Sequence, residues 1–347
     1  MIKSIKEIIP EWLNRTGPFS DIVFLSTVSL YRNIRGYKFE RKTDDKEKEE
    51  LLQFLKDGVK ATGKFMNIMD LNEMDIDEKE FLWERLLITD WELKDGKYTG
   101  IAVNNKQNNV IIMNSREHLC LTSIASGLDI MESYRDVDRI DDMLNEEFHF
   151  MFDEELGFLT STIDRVGTGL EVDVLIHLPA LVITGQVSDL VDELEESHYL
   201  MEGTFRDGGG IEGSFFSIKN QYTLGRTEEE IIEDMQVKIK DAIKREIDAR
   251  EYLLENARYE TEDKIWRSYG ILTNARFLNI EDFLNLSSAV RLGIGMGTIK
   301  DISIETLNRM LISLQPGHIR ILEDYDIDER EENIMRASIL RKNVGGK

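Results

Sequence analysis

The stretch Gly157–Leu181, GFLTSTIDRVGTGLEVDVLIHLPAL, decides the fold. Within it Glu171–Leu178 alternates strictly, with Val172, Val174 and Ile176 on one side and Glu171, Asp173, Leu175 and His177 on the other. Successive side chains of a strand point to opposite faces of a sheet. The segment therefore predicts a strand with one face on a core and the other on a cleft or solvent.

Working outward, Asp21–Leu30 is rich in Val, Ile and Phe and reads as a second strand, preceded by a helical spacing over Ser4–Leu13. Asp44–Ala61 and Asp77–Ile88 are charged helix formers. Between Tyr98 and Ile124 the short apolar runs GIAV, NVIIM and HLCLTSI, separated by Asn-rich or charged turns, predict antiparallel strands. A long helix is expected over Leu128–Asp153 and another over Val187–Ser197, followed by strands at Tyr199–Phe205 and Gly213–Leu224. Helix and antiparallel strand are thus mixed, the pattern of an α+β layer.

The character changes at Thr227, which forms a capping-box pair with Glu230. Ile231, Ile232, Met235, Ile239, Ile243 and Ile247 then fall at helical spacing. Further helix starts are expected at Asn279, Ser303 and Asp328, with Gly293 and Pro316 as breakers. We expect two domains, 1–255 with the sheet and 256–347 all helical.

The chain has 347 residues, 67 acidic against 43 basic side chains and a formal charge of -24. Such a surface repels phosphates, which argues against nucleic acid and anionic membrane as partners. A single cysteine, Cys120, excludes an internal disulfide, and no Cys/His spacing suggests a metal site. With no apolar run near the ~18 residues of a membrane span and no leader-like start, a cytoplasmic location is expected.

Four segments carry a resemblance. Gly157–Leu181, IVFLSTVSLYRNIRGYKF (Ile22–Phe39), NSREHLCL (Asn114–Leu121) and SIKNQYTLGRTEEEIIEDM (Ser217–Met235) together resemble the ATP:guanidino phosphotransferase (phosphagen kinase) family, in the same order. The helical tail resembles its bacterial protein-arginine-kinase (McsB-type) branch. The resemblance implies a phosphagen-kinase-like antiparallel sheet flanked by helices, a C-terminal helical dimerisation domain, and ATP-dependent phosphorylation of protein arginines.

It also implies five arginines around the ATP phosphates, and their positions here read Thr27, Ser29, Cys120, Glu171 and Glu202. The adenine-side histidine falls at Leu86. The carboxylate of the NEEDHLR motif falls at Arg116, the reactive-loop cysteine at Thr162, and a second carboxylate at Asp207. In the tail, ENIMRASILRK (Glu332–Lys342) resembles a phosphoarginine-reading RDxxRA pocket, in which Arg336 and Ala337 match while Glu332 and Asn333 replace the first Arg and the Asp.

Phosphoryl transfer depends on positioning and on stabilising charge. If each charge-assisted contact contributes ~1.5 kcal/mol, losing five removes roughly 7 kcal/mol, about five orders of magnitude in binding. The expectation is a pseudoenzyme without a cofactor, acting as a homodimer or with a protein partner such as an active relative or a stress-response protein. One alternative is an active kinase that binds Mg-ATP through relocated arginines, with Arg165 and Arg206 the leading candidates. Another is a cleft re-tuned for a cationic or guanidinium ligand, motivated by Glu171, Asp173 and Glu202. His118 and His177 are expected to be buried structural histidines, Cys120 a small filler, and Gly293–Gly297 a helix stop rather than a phosphate loop.

Overall fold

The computed structural model describes residues 2–14, 16–204, 212–322 and 327–344. Its strands are β1 (Val23–Arg32), β2 (Asn67–Asp70), β3 (Gly100–Val103), β4 (Asn109–Met113), β5 (Leu119–Ser126), β6 (Phe152–Asp153), β7 (Gly157–Phe158), β8 (Leu170–His177), β9 (Tyr199–Gly203) and β10 (Phe215–Asn220). Among the described residues eight of them form one antiparallel sheet in the order β2-β3-β4-β5-β1-β8-β10-β9, while β6 and β7 pair as a separate ribbon. The expected mixture of helix and antiparallel sheet is what forms.

The alternation of β8 sets the layering. Val172, Val174 and Ile176, with Val28, Leu30, Leu121 and Ile218 of neighbouring strands, face a core shared with the helices Asp45–Ala61, Ile130–Phe148 and Glu228–Asn256. Each of these helices starts on a side-chain cap: Asp44 to Glu47 N, Asp129 to Glu132 N and Thr227 to Glu230 N. The first two also touch each other at Gly58, where a Cβ would lie 2.3 Å from Phe148 Cζ. Only glycine allows that approach.

The other face of the sheet is divided. At one end Leu25, Ile124, Leu175 and Phe215 pack under the C-terminal helices in a second core. The expectation that this whole face of β8 meets a cleft or solvent therefore holds for Glu171 and Asp173, stops at Leu175, which is mostly covered where the cleft ends, and fails for His177. Leu175 and His177 are buried, and His177 Nε2 hydrogen-bonds Ser288 Oγ at 2.8 Å. Helix Ile280–Gly295 drives Arg291 into this contact, where it donates to the carbonyls of Ser20 and Asp21 and to Asn308.

A third core lies between β2, β3 and β4 and the helix Ile76–Glu84. Helix Pro316–Leu322 docks on that helix. Glu84 accepts from Gly317 N, His318 N and His318 Nδ1 at 2.7, 2.8 and 2.7 Å. Arg320 joins Asp77, Glu80 and Glu332. The tail is thereby fastened to the segment that forms the cleft wall.

Several boundaries differ from the sequence expectation. Ser4–Leu13 is not one helix but a turn of helix at Lys3–Lys6 and a 3-10 turn at Glu11–Leu13, because Pro10, extended at ψ 141°, separates them. The helix expected to reach Asp153 ends at Phe148, where His149 turns left-handed at φ 53° and the chain continues into β6. Ile247 is 39% exposed, since the core-facing stripe of its helix passes through Glu246 and Arg250 instead. Gly293 does not break its helix: a Cβ there would meet Ile265 Cγ2 at 2.5 Å, and the stop comes after Gly295. The long helix from Glu228 packs on the first core as far as Leu253, and Ala257 separates it from the next helix.

Candidate active site

The uncovered part of the sheet face floors a cleft of 490 Å³. Period-two geometry puts Thr27, Ser29 and Tyr31 of β1, Cys120 and Thr122 of β5, Glu171 and Asp173 of β8, and Ser217 and Lys219 of β10 on this one side. Glu202 of β9 lies at its edge, opposite Ser217 in register. The segment after helix Ile76–Glu84 forms the wall, with Leu86 held at φ 59° and 38% exposed.

The structure thus gathers Thr27, Ser29, Leu86, Arg116, Cys120, Glu171 and Glu202, seven positions read from distant parts of the sequence, around a single cavity. Thr162 is not among the lining residues. It precedes the 3-10 turn Ile163–Arg165 and accepts from Thr160 Oγ1 through its carbonyl. Asp207 and Arg206 lie outside the described residues.

Polar groups in the cleft are largely engaged with one another. Ser29 Oγ and Thr122 Oγ1 are 2.8 Å apart. Glu171 accepts from Tyr31 Oη at 3.0 Å and from Arg165 Nη2 at 2.9 Å, and the Arg165 guanidinium lies 3.7 Å from the centre of the Tyr31 ring. Asp173 accepts from Ser217 Oγ at 2.6 Å and pairs with Lys219 Nζ at 3.3 Å. Arg116, at the mouth, stacks on Trp91 at 4.5 Å.

Charge states follow from these surroundings. Burial raises the Tyr31 phenol well above its ordinary value, with Cys120 and Glu171 adding to the effect. Burial pushes the Cys120 thiol up to about 12, so it remains a neutral filler at physiological pH. Asp173 holds the Lys219 ammonium above its usual value against the opposing effect of burial.

Two cations of the cleft, Arg165 and Lys219, are thus matched by carboxylates, Arg116 stacks on Trp91, and Glu92, Glu117 and Glu202 add further negative charge to the lining. Among the described residues no group of three or more His, Cys, Asp or Glu side chains is arranged to hold a metal ion. No helix among them is long and apolar enough to cross a membrane.

Sequence reasoning missed three participants. Tyr31 and Lys219 were legible as the next same-face residues after Ser29 and Ser217, but their pairing with Glu171 and Asp173 depends on strand order. Glu117 is buried and accepts from Asn33 Nδ2, Ser161 N and Ser161 Oγ, tying the loop before Arg165 to the end of β1. An acidic residue beside His118 in EHL was its only signal.

The two expected histidines are buried. His118 accepts from Ile34 N at 2.9 Å and bonds the Lys38 carbonyl at 2.9 Å, and burial lowers its pKa. The tail residues Glu332, Asn333, Arg336 and Ala337 do come together, but as a closed node rather than an open pocket. Arg336 is 1% exposed, and it donates to the carbonyls of Leu314 and Leu278 and to Asn333.

Comparison with known proteins bears on this geometry. Residues 48–249 match the family model of the ATP:guanido phosphotransferase C-terminal catalytic domain, and residues 258–346 that of the protein-arginine kinase McsB C-terminal domain. The protein-arginine kinase of Bacillus cereus (strain G9842) is 33% identical over 346 residues, covering 99% of this chain and 98% of that protein. That of Bacillus anthracis (strain A0248) is 32% identical over 347 residues, with the same coverage. Among solved structures, lombricine kinase superposes with a TM-score of 0.58 at 18% identity over 72% of each chain. The substrate-free duplicated taurocyamine kinase of Schistosoma mansoni gives 0.59 at 18% identity, covering 81% of this chain and 41% of that one. This protein belongs to the ATP:guanidino phosphotransferase family, in the branch of the bacterial protein-arginine kinases.

Proposed function

We propose that this chain is a catalytically silent member of that branch, acting by protein binding, either as a homodimer or with an active relative. The reading is carried by one observation. The five positions where the resemblance implies phosphate-binding arginines are Thr27, Ser29, Cys120, Glu171 and Glu202, and all five line one cleft. A carboxylate ~4 Å from a phosphate charge opposes it by ~4 kcal/mol at an effective dielectric of about 20. Arg165 and Lys219, the cations nearest the floor, are already paired with Glu171 and Asp173.

The reaction gives the test. Incubation with MgATP and an unfolded arginine-containing protein, followed by mass spectrometry under conditions that preserve acid-labile phosphoarginine, is expected to show no modification above a protein-free control. Phosphoarginine formed in proportion to the amount of chain added would contradict the proposal.

A second reading, an active arginine kinase with a rebuilt nucleotide site, is favoured by the name that the Bacillus relatives carry, protein-arginine kinase. It requires Arg165 to leave Glu171 and turn to the nucleotide. Turnover abolished by Arg165→Ala would support it.

A further inference from the structure

The cleft already contains a guanidinium, and it belongs to the chain itself. Arg165 comes from the 3-10 turn Ile163–Arg165, whose first residue, Ile163, is 81% exposed. Its side chain crosses to the sheet and is held there on two sides. The Tyr31 ring lies under the guanidinium plane at 3.7 Å, and Glu171 Oε2 accepts from its edge at 2.9 Å. The Tyr31 hydroxyl donates to the other oxygen of Glu171 at 3.0 Å, so ring and carboxylate hold each other in place whether or not Arg165 is present.

An aromatic face with a carboxylate at its edge suits a planar, delocalised cation with donors around its rim. It suits an ammonium less well, because a point charge cannot stack and donate in the same plane. The two receptor groups stand on rigid scaffold. Tyr31 and Glu171 lie on adjacent central strands, where Ser29 opposes Glu171 in register and Tyr31 N donates to the Gly169 carbonyl at 2.9 Å. Arg165, in contrast, is carried by a short loop turn. Asp173 on the same face is already paired with Lys219, while Glu202 at the edge and Glu92 in the wall extend the negative field that a cation entering from solvent would meet.

We infer that Tyr31 and Glu171 form a receptor for an arginine side chain presented by a protein partner, with Arg165 as its tethered competitor. The inference rests on the proposed function, since a bound triphosphate would need the same floor of the sheet. A partner's guanidinium replaces Arg165 on Tyr31 and Glu171, and the 163–165 turn swings outward as it enters. No net charge is added to the cleft floor, because one guanidinium exchanges for another. The tether makes Arg165 a strong competitor, as short flexible tethers give effective concentrations in the millimolar range. The affinity for an outside arginine is reduced by the fraction of time the receptor stands open.

The test uses the full chain and N-acetyl-arginine methylamide as the probe, titrated by calorimetry, with the matching lysine derivative alongside. Arg165→Ala is expected to bind the arginine probe at least ~10-fold more tightly than the wild type, and to prefer it to the lysine probe. Adding Glu171→Gln to Arg165→Ala is expected to return the affinity to the wild-type level or below. Circular dichroism melting checks that each variant is folded, and Arg165→Gln replaces Arg165→Ala if the latter is not. Arginine binding no tighter in the folded Arg165 variant than in the wild type, binding insensitive to Glu171→Gln, or equal binding of the lysine probe overturns the receptor. A parallel MgATP titration separates the two ideas. Nucleotide binding removes the silent-enzyme reading, whereas failure of the arginine probe without nucleotide binding removes only the receptor.

Discussion

Lys219 and Asp173 stand directly opposite each other on β10 and β8, with Nζ 3.3 Å from Oδ2. Ser217 Oγ takes the other oxygen of the same carboxylate at 2.6 Å. A lysine on the floor of a kinase-like cleft is thus already matched by a carboxylate from the neighbouring strand, in the same way that Glu171 matches Arg165. The electrostatic character of the site follows from strand pairing, not from the number of basic residues near it.

Reversing charge at two of the five positions should therefore introduce affinity for nucleotide. The Glu171→Arg/Glu202→Arg double variant replaces two carboxylates with two cations and releases Arg165 from its ion pair, turning the floor from negative to positive. It is expected to bind MgATP at least ~10-fold more tightly than the wild type, measured by calorimetry. Equal affinity in the two proteins would show that the cleft is closed to nucleotide for steric rather than electrostatic reasons.

Arg336 is a structural residue. Its guanidinium is buried and donates to the carbonyls of Leu314 and Leu278, so Arg336→Ala leaves buried acceptors without donors. A loss of about 3 kcal/mol in urea unfolding is expected, together with no phosphoarginine binding by the wild type. Tight phosphoarginine binding that Arg336→Ala abolishes would restore the reading pocket.

Arg320 bridges Asp77 and Glu80 on the cleft-wall helix and Glu332 on the tail helix. Arg320→Ala leaves three carboxylates close together without their cation. Since the site is partly solvated, a cost of about 1–3 kcal/mol is expected, reduced by Glu80→Gln in the same chain. Strictly additive effects of the two substitutions would mean that the arginine and Glu80 are not coupled.

His177 gives a pH dependence with a defined sign. Burial, and then the nearby Arg291 and Arg250, hold its folded pKa well below the ordinary value. The folded state thus binds fewer protons than the unfolded one. Its contribution is present above the unfolded histidine pKa of ~6.5 and is lost as pH falls below it, on the order of 1 kcal/mol at pH 5.5. Unfolding free energies from urea titrations at pH 7.5 and 5.5 should converge by about that amount in His177→Phe relative to the wild type, with the similarly depressed His318 still contributing in both. An unchanged pH slope in the variant would contradict this assignment.

The layering of the sheet was legible from β8 alone, because Val172, Val174 and Ile176 repeat with a period that only a strand can place on one face. Helix starts at Asp44, Thr227, Asn279 and Ser303 were readable from side chains that satisfy free backbone donors locally. What covers the second face was not readable. Leu175 and Glu171 have the same parity, and only the docking of Ile280–Gly295 from more than a hundred residues away distinguishes a buried position from a cleft position. The cleft residues themselves could be found position by position through the family resemblance. Their pairing could not, since Tyr31 with Glu171 and Asp173 with Lys219 are brought together by an order in which β8 sits between β1 and β10. The tail shows the same limit, because a sequence resembling a phosphate-reading pocket is closed by carbonyls from Leu278 and Leu314.

The most direct measurement is calorimetric titration of MgATP into the wild-type chain at physiological ionic strength. The account predicts no saturable binding up to millimolar nucleotide. A saturable isotherm with a dissociation constant in the micromolar range, lost on Arg165→Ala, would contradict it.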